Sequence, residues 1–253
     1  MQTRRTFLTT TGATITLLPF AANADGHSGD VFTTPIGDIT INPIAHASFV
    51  MQLRSETVYV DPVGDPAQFA GLPDADLIFI THEHFDHYDP DTLAALSGPS
   101  TNIITNPAVF DMLPDTLKSN SVPLANGASV ALRSGTLTAI PAYNTTEGRT
   151  QFHPQGRDNG YVLDYFGFRI YVSGDTEDIP EMRALQNIDL AFVCMNLPFT
   201  MDASAAASAV AEFAPKYVYP YHYRGRDGGT QDPADFAALL PAGIETKLGG
   251  WYG

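Results

Sequence analysis

Cysteine occurs once in the 253 residues, and lysine and arginine together number 13 against 28 aspartates and glutamates. Each scarcity excludes something. The single cysteine, Cys194, rules out an intramolecular disulfide and a cysteine-built structural zinc site. It stands in the apolar run Leu190 to Met195 and reads as a small core residue rather than a nucleophile. The shortage of cations leaves a net charge of −15, which repels phosphate backbones and argues against nucleic acid or a large polyanion as a partner. Long apolar runs are missing too. The stretch ending at Phe20, about a dozen weakly apolar residues, is too short to span a bilayer, so no stable membrane insertion is expected.

What is present begins with a leader. Thr3-Arg4-Arg5-Thr6-Phe7-Leu8 resembles a twin-arginine export motif, with Thr9 where a lysine is often found. Ala22-Asn23-Ala24 offers a cleavage site before Asp25. Residues 1–24 are therefore expected to be a signal peptide and residues 25–253 the mature protein, periplasmic or secreted. Losing the leader, with its two arginines and no acid, takes the net charge from −15 to −17.

The remaining chain suits one domain of the larger sort. Alternating runs at Asp38–Ile44, Ser48–Leu53 and Glu56–Asp61 predict a strand meander after a loose start from Asp25 to Asp30. Ala75–Ile80 predicts a buried strand, Asp89-Pro90 a helix start, Asn102–Thr105 a strand, and Asn106-Pro107 the cap of a helix toward Leu113. Ser129–Arg133 and Thr136–Ala142 open a second half. Tyr161–Val172 predicts a hairpin turning near Gly167, a helix is expected over Ile179–Leu185, and a strand over Lys216–Tyr219. No low-complexity linker separates the halves. The pattern predicts one α/β domain made of two similar sheet-plus-helix halves without a sequence repeat.

The densest chemistry follows the buried strand. Thr81-His82-Glu83-His84-Phe85-Asp86-His87 holds three of the seven histidines and an intervening acid. If the chain stays extended from His82 to His84 the two imidazoles point the same way, and with Asp86 and His87 expected to face elsewhere beyond a turn the pattern fits two adjacent cations sharing one loop. Nitrogen and oxygen donors without sulfur suit zinc, with manganese or iron as alternatives.

His82-x-His84-x-Asp86-His87 resembles the HxHxDH signature of the metallo-β-lactamase superfamily, hydrolases built as a four-layer αββα sandwich. The resemblance extends from His46 to about Tyr223. Ser173-Gly174-Asp175-Thr176 is similar to the family's G-D-T element, whose aspartate bridges both cations, and Pro220-Tyr221-His222-Tyr223 supplies a final histidine. Between them the remaining histidine is His153, in Phe152-His153-Pro154. Some relatives carry that histidine earlier, where this chain has Tyr143-Asn144. Pro141-Ala142-Tyr143-Asn144 followed by a later His-Pro resembles a branch that includes N-acyl-phosphatidylethanolamine phospholipase D-like enzymes. Ala45-His46-Ala47-Ser48-Phe49 is similar to an H-(S/A)-S-F element of one branch.

The resemblance implies two divalent metal ions. His82, His84 and His153 would hold one, Asp86, His87 and His222 the other, with Asp175 shared. It also implies hydrolysis by water activated between the cations, with Asp86 orienting it and passing a proton to the leaving group. His46 is expected behind the ligands or facing the substrate. Tyr143, Asn144, Tyr223, Arg224 and Arg226 are candidate substrate contacts because they adjoin ligands in sequence. A glutamate is preferred at the position of His84 in the diiron redox branch of the fold, from which this chain departs. The expected function is an exported dinuclear hydrolase of carboxylic esters, including acyl lipids or lactones. A phosphodiesterase of phospholipase D type is the alternative, and a β-lactamase is a lesser one. A metal-binding protein without turnover is the competing class.

Overall fold

Leu77-Ile78-Phe79-Ile80 is apolar at every position because both of its faces are covered. In the computed structural model, which describes residue 27 and residues 29–252, Leu77 and Phe79 point into the core between two sheets. Ile78 and Ile80 point the other way, onto a second cluster with Leu93 and Val109 from flanking helices. Side chains alternate along a strand, so one run serves both clusters. The expected signal peptide, Met1 to Ala24, lies outside the described residues.

The first sheet takes its strands in chain order: β1 (Asp30–Thr34), β2 (Gly37–Ala45), β3 (Ser48–Gln52), β4 (Thr57–Val60), β5 (Leu77–Ile80), β6 (Asn102–Thr105) and β7 (Ser121–Pro123). The second does the same with β8 (Ser129–Leu132), β9 (Gly135–Ala142), β10 (Asp158–Tyr165), β11 (Phe168–Val172), β12 (Leu190–Cys194), β13 (Tyr217–Tyr221) and β14 (Glu245–Thr246). In each sheet the first four strands pair antiparallel and the remainder parallel. Phe49 of β3 stacks on Phe192 of β12 with ring centroids 4.1 Å apart, locking the sheets face to face.

Helices cover the outer faces: α1 (Pro90–Leu96), α2 (Pro107–Met112) and α3 (Asp115–Lys118) on the first half, α4 (Pro180–Arg183), α5 (Ala203–Phe213) and α6 (Pro233–Leu239) on the second. This is the four-layer αββα sandwich, in a single domain. Local chemistry sets several boundaries. The Asp89 carboxylate accepts from the amides of Asp91 and Thr92 to start α1, and Asn106 accepts from Val109 to start α2, each followed by the expected proline.

β1, which pairs with β2 from Asp30 onward, is not among the strands expected from the sequence. Two expectations need correction. The helix expected over Ile179–Leu185 shrinks to α4, and the strand expected to end at Tyr219 continues through Pro220 to Tyr221. α5 gave no amphipathic stripe in the sequence because its buried face is mostly alanine, which packs close to the sheet without reading as a hydrophobic run.

Candidate metal centre

Parallel strands deliver their carboxyl ends to the same edge of a sheet, and connections leaving that edge collect there. Asp61 follows β4, the loop Thr81–His87 follows β5, Asp175 lies just after β11, and His222 follows β13. His46 sits in the turn between β2 and β3, and His153 in the connection from β9 to β10. Gly174, at φ +60°, lets the halves close on one another there. A Cβ on it would lie 2.6 Å from the carbonyl oxygen of Asn159 and 3.1 Å from Thr81 Cβ. Backbone strain gathers in the same place. His46, Asp61 and His222 have φ of 51°, 44° and 49°, a left-handed region that non-glycine residues occupy at a cost of about 1–3 kcal/mol each.

Three groups of donor atoms converge, each within 4.8 Å of one another: His82, His84 and His153; His82, His87 and Asp175; His46, Asp86 and His222. Asp175 links them. Its Oδ1 lies 3.4 Å from His87 Nε2, and its Oδ2 lies 3.4 Å from His153 Nε2 and 3.5 Å from His222 Nε2. Asp86 Oδ2 lies 3.3 Å from His222 Nε2 and 3.2 Å from His46 Nε2.

Three imidazoles share one design. His87 Nδ1 lies 2.7 Å from the buried Asp61 carboxylate, His153 Nδ1 lies 3.0 Å from Asp158, and His46 Nδ1 lies 2.8 Å from the Tyr252 hydroxyl. Each outer partner fixes the ring and turns its Nε2 toward the centre. Asp61 is itself held, accepting from the Thr81 amide and hydroxyl, both at 2.7 Å.

The centre has unmet capacity. His87 Nε2, His153 Nε2, Asp175 Oδ1 and both ring nitrogens of His222 are buried without a hydrogen-bond partner. Buried polar atoms are normally satisfied, so five of them in one small volume mark a place where a cation belongs. The donor set, nitrogen and oxygen only, fits divalent metal.

Electrostatics agree. Burial, then the neighbouring His87, holds the His82 imidazole well below its ordinary pKa, and burial followed by His153 lowers His84, so both are neutral donors. Burial opposes a charge on His87, but the carboxylates of Asp175 and Asp61 outweigh it and raise that ring well above the usual range. Burial alone would push Asp86 and Asp175 up. The facing imidazoles of His222 and His46 hold Asp86 far below the carboxylate range instead, and the charges of His222 and His87 do the same for Asp175.

A model of the β-lactamase superfamily domain matches residues 38–223, a span that contains every one of these donors except Tyr252 behind His46. The chain belongs to the metallo-β-lactamase superfamily. Its superfamily likeness extends to solved structures. One, from Parabacteroides distasonis and named only as a candidate metal-dependent hydrolase, is 40% identical and superposes with a TM-score of 0.78, over 88% of this chain and 98% of that one. A metallo hydrolase from the archaeon Ignicoccus hospitalis shares the fold at 20% identity, with a TM-score of 0.67 over 83% of this chain and 94% of its own. Among curated relatives, a metal-dependent hydrolase from Anaeromyxobacter dehalogenans is 28% identical over 236 residues, 84% of each chain. The protein is a metal-dependent hydrolase of this superfamily, with histidine and aspartate clusters able to bind metal.

Not every expected neighbour reaches the site. A cavity of about 640 Å³ opens over the centre, walled by Phe85, Phe152, Phe199, Arg224 and Arg226. Tyr143 and Asn144, expected to touch substrate, do not line it. The Tyr143 hydroxyl donates to Glu181 at 3.0 Å, and the Asn144 amide donates to the carbonyls of Phe199 and Arg149. Both brace the loop that carries His153, whose carbonyl accepts from the Asn144 backbone N–H at 2.8 Å. Tyr223 turns away as well, edge-on to Tyr252 with centroids 4.7 Å apart. Of the two places expected for His46, it takes the one on the cavity wall rather than the one behind the ligands, with its Nε2 3.2 Å from Asp86 and grouped with Asp86 and His222. His87 groups with His82 and Asp175, although its ring also stacks on His222 at 4.9 Å.

Sequence reading missed Asp61, Asp158 and Tyr252. For Asp61 a signal existed: Val58-Tyr59-Val60-Asp61 ends a buried strand in an acid, beside the strand that feeds the histidine loop. Nothing local marks Tyr252, which reaches His46 across 206 residues.

Proposed function

We infer that this chain hydrolyses carboxylic esters with two divalent cations, zinc first among them and manganese or iron as alternatives. The observation that carries the dinuclear reading is Asp175, one buried carboxylate that lies within 3.5 Å of imidazoles from both ligand sets, 3.4 Å from His153 of one and 3.4 and 3.5 Å from His87 and His222 of the other. By the superfamily pattern, His82, His84 and His153 hold one cation and Asp86, His87 and His222 the other, with His46 an additional donor beside Asp86. Bound there, the cations would polarise a carbonyl oxygen and make water acidic enough to attack near neutral pH.

The chain's own groups supply the remainder. Asp86 is half-buried, faces the cavity, and is kept ionised by His222 and His46, so it can orient a water and carry its proton to the leaving alcohol. Asp61, Asp158 and Tyr252 hold three rings in one orientation before substrate arrives, so little rearrangement is needed during reaction. Phe85, Phe152 and Phe199 offer an apolar wall to an acyl or aromatic group. That wall supports an ester over a phosphodiester, whose transferred group is more polar. Export rests on the sequence of the leader alone, Thr3–Leu8 with Ala22–Ala24.

Purified mature protein should be assayed on p-nitrophenyl esters of increasing acyl length, on bis-p-nitrophenyl phosphate and on a chromogenic β-lactam, each with and without chelator. Chelator-sensitive ester turnover with a chain-length optimum is expected. Turnover of the phosphodiester alone would replace the ester reading with the phospholipase-like one, and metal binding without any turnover would favour the non-catalytic class.

A further inference from the structure

Arg224 and Arg226 stand apart from the other described arginines. Arg149, Arg157, Arg169 and Arg183 each pair with a carboxylate, and Arg54 and Arg133 donate to backbone carbonyls. Among the described residues the guanidinium groups of Arg224 and Arg226 make neither kind of contact. Both are exposed, both face the cavity over the metal centre, and they lie two residues apart in a chain whose net charge is −15. In so acidic a protein a cation finds a carboxylate easily, and two cations lining one cavity without one repel each other.

The loop that carries them is built, not slack. The Arg226 amide donates to the Leu197 carbonyl at 3.1 Å, and the Leu197 amide donates to Gly229 at 3.0 Å. Gly225 sits so close that a Cβ there would lie 2.3 Å from the Leu197 oxygen. Arg224 is aimed by Tyr252, its guanidinium 4.1 Å from the ring centroid, which occupies the flat face and leaves the N–H edge available. Of the three acids in the cavity wall, Glu83 is neutralised by Arg157 at 2.7 Å, and Asp86 and Asp175 face the histidines of the centre.

Resting on the hydrolase reading above, we propose that Arg224 and Arg226 form an anion subsite, and that the substrate is a small molecule with one apolar group and one negatively charged group. The charged group, a carboxylate or a phosphate, is held by the two guanidiniums. The apolar group lies against Phe85, Phe152 and Phe199, with the scissile bond between them over the metal centre. Planar guanidiniums bind either anion through paired N–H donors, and here they reverse locally the repulsion that the surface charge imposes on anions.

Binding of phenylacetate, phenyl phosphate and neutral phenylacetamide to metal-loaded wild type and to the Arg224→Gln/Arg226→Gln double variant, by titration calorimetry, tests the subsite without any turnover. Affinity for at least one anion should fall roughly tenfold or more in the variant, relative to the amide. Whichever anion loses more identifies the group. Any contribution from anions meeting the cations is common to both proteins and cancels. The single variant Arg226→Gln, which leaves the Tyr252 stack intact, should show part of the same loss. Equal affinities in wild type and double variant, for both anions, would overturn the proposal. A kinetic arm compares p-nitrophenyl butyrate with mono-p-nitrophenyl glutarate. The ratio of kcat/KM for the anionic to the neutral ester should fall in the variant, through KM, and an unchanged ratio in an active enzyme would overturn the subsite while leaving the ester reading standing. Loss of anion binding in a protein that cleaves neither ester would support the subsite and sink the ester reading.

Discussion

Each sheet runs four strands antiparallel and then continues parallel, yet the first delivers His82, His84, Asp86 and His87 from one loop of seven residues. The second delivers His153, Asp175 and His222 from three separate connections. A contiguous loop sets the spacing of its donors by its own backbone. Scattered donors are positioned only by the stacking of the two sheets, through contacts such as Phe49 on Phe192. The first half therefore carries the chemistry in compact form, and the second half makes that chemistry depend on the fold being intact.

The sharpest way to break this comparison is to remove the one second-half carboxylate that faces both sides. Asp175→Ala should abolish turnover and lower bound metal per chain, read by elemental analysis, whereas a first-half variant should leave more metal in place. Asp86→Ala is that variant: kcat should fall about 10²- to 10⁴-fold, the range for a lost general acid–base group, with most of the metal retained. Full activity in Asp86→Ala would remove the proton-carrying role given to it. Asp61→Asn keeps the shape and loses the charge behind His87. It should cost about 10- to 100-fold in metal affinity or activity, and a larger loss would mean that the fold had shifted as well.

Gly174→Ala probes the joint between the halves. A left-handed φ and a backbone oxygen at 2.6 Å predict a loss of about 1–3 kcal/mol in denaturant unfolding, together with weakened metal binding although no donor is changed. The smallest effect is expected at Cys194. Burial, then the charge of Asp175, pushes its thiol up to about 12, so at pH 8 the reactive thiolate is scarce. Thiol reagents should leave the native protein unmodified and react only once denaturant unfolds it. Rapid labelling of native protein would show that the β11–β12–β13 core opens readily.

Several residues were legible from their neighbours in the chain. The histidine loop announced itself by density, Asp89-Pro90 and Asn106-Pro107 by capping chemistry, and the β10–β11 hairpin by Gly167. Tyr143, Asn144 and Tyr223 misled because adjacency in sequence to a donor says nothing about the direction of a side chain. Tyr143 is drawn to Glu181 and Tyr223 to Tyr252, partners contributed by other elements. α5 was overlooked for a different reason: its face of Ala203, Ala206, Ala207 and Val210 reflects close packing, which hydrophobic patterning hardly registers.

By itself the sequence determined the superfamily and the nitrogen and oxygen donor types, because these depend on residue identity and on spacing within one loop. Tertiary structure alone decided that Asp61, Asp158 and Tyr252 orient the rings, that His46 joins Asp86 and His222, and that Arg224 and Arg226 share a wall with three phenylalanines. Those relations join residues far apart in the chain, and only the pairing of parallel strands and the stacking of the two sheets bring them within hydrogen-bonding distance or around one cavity.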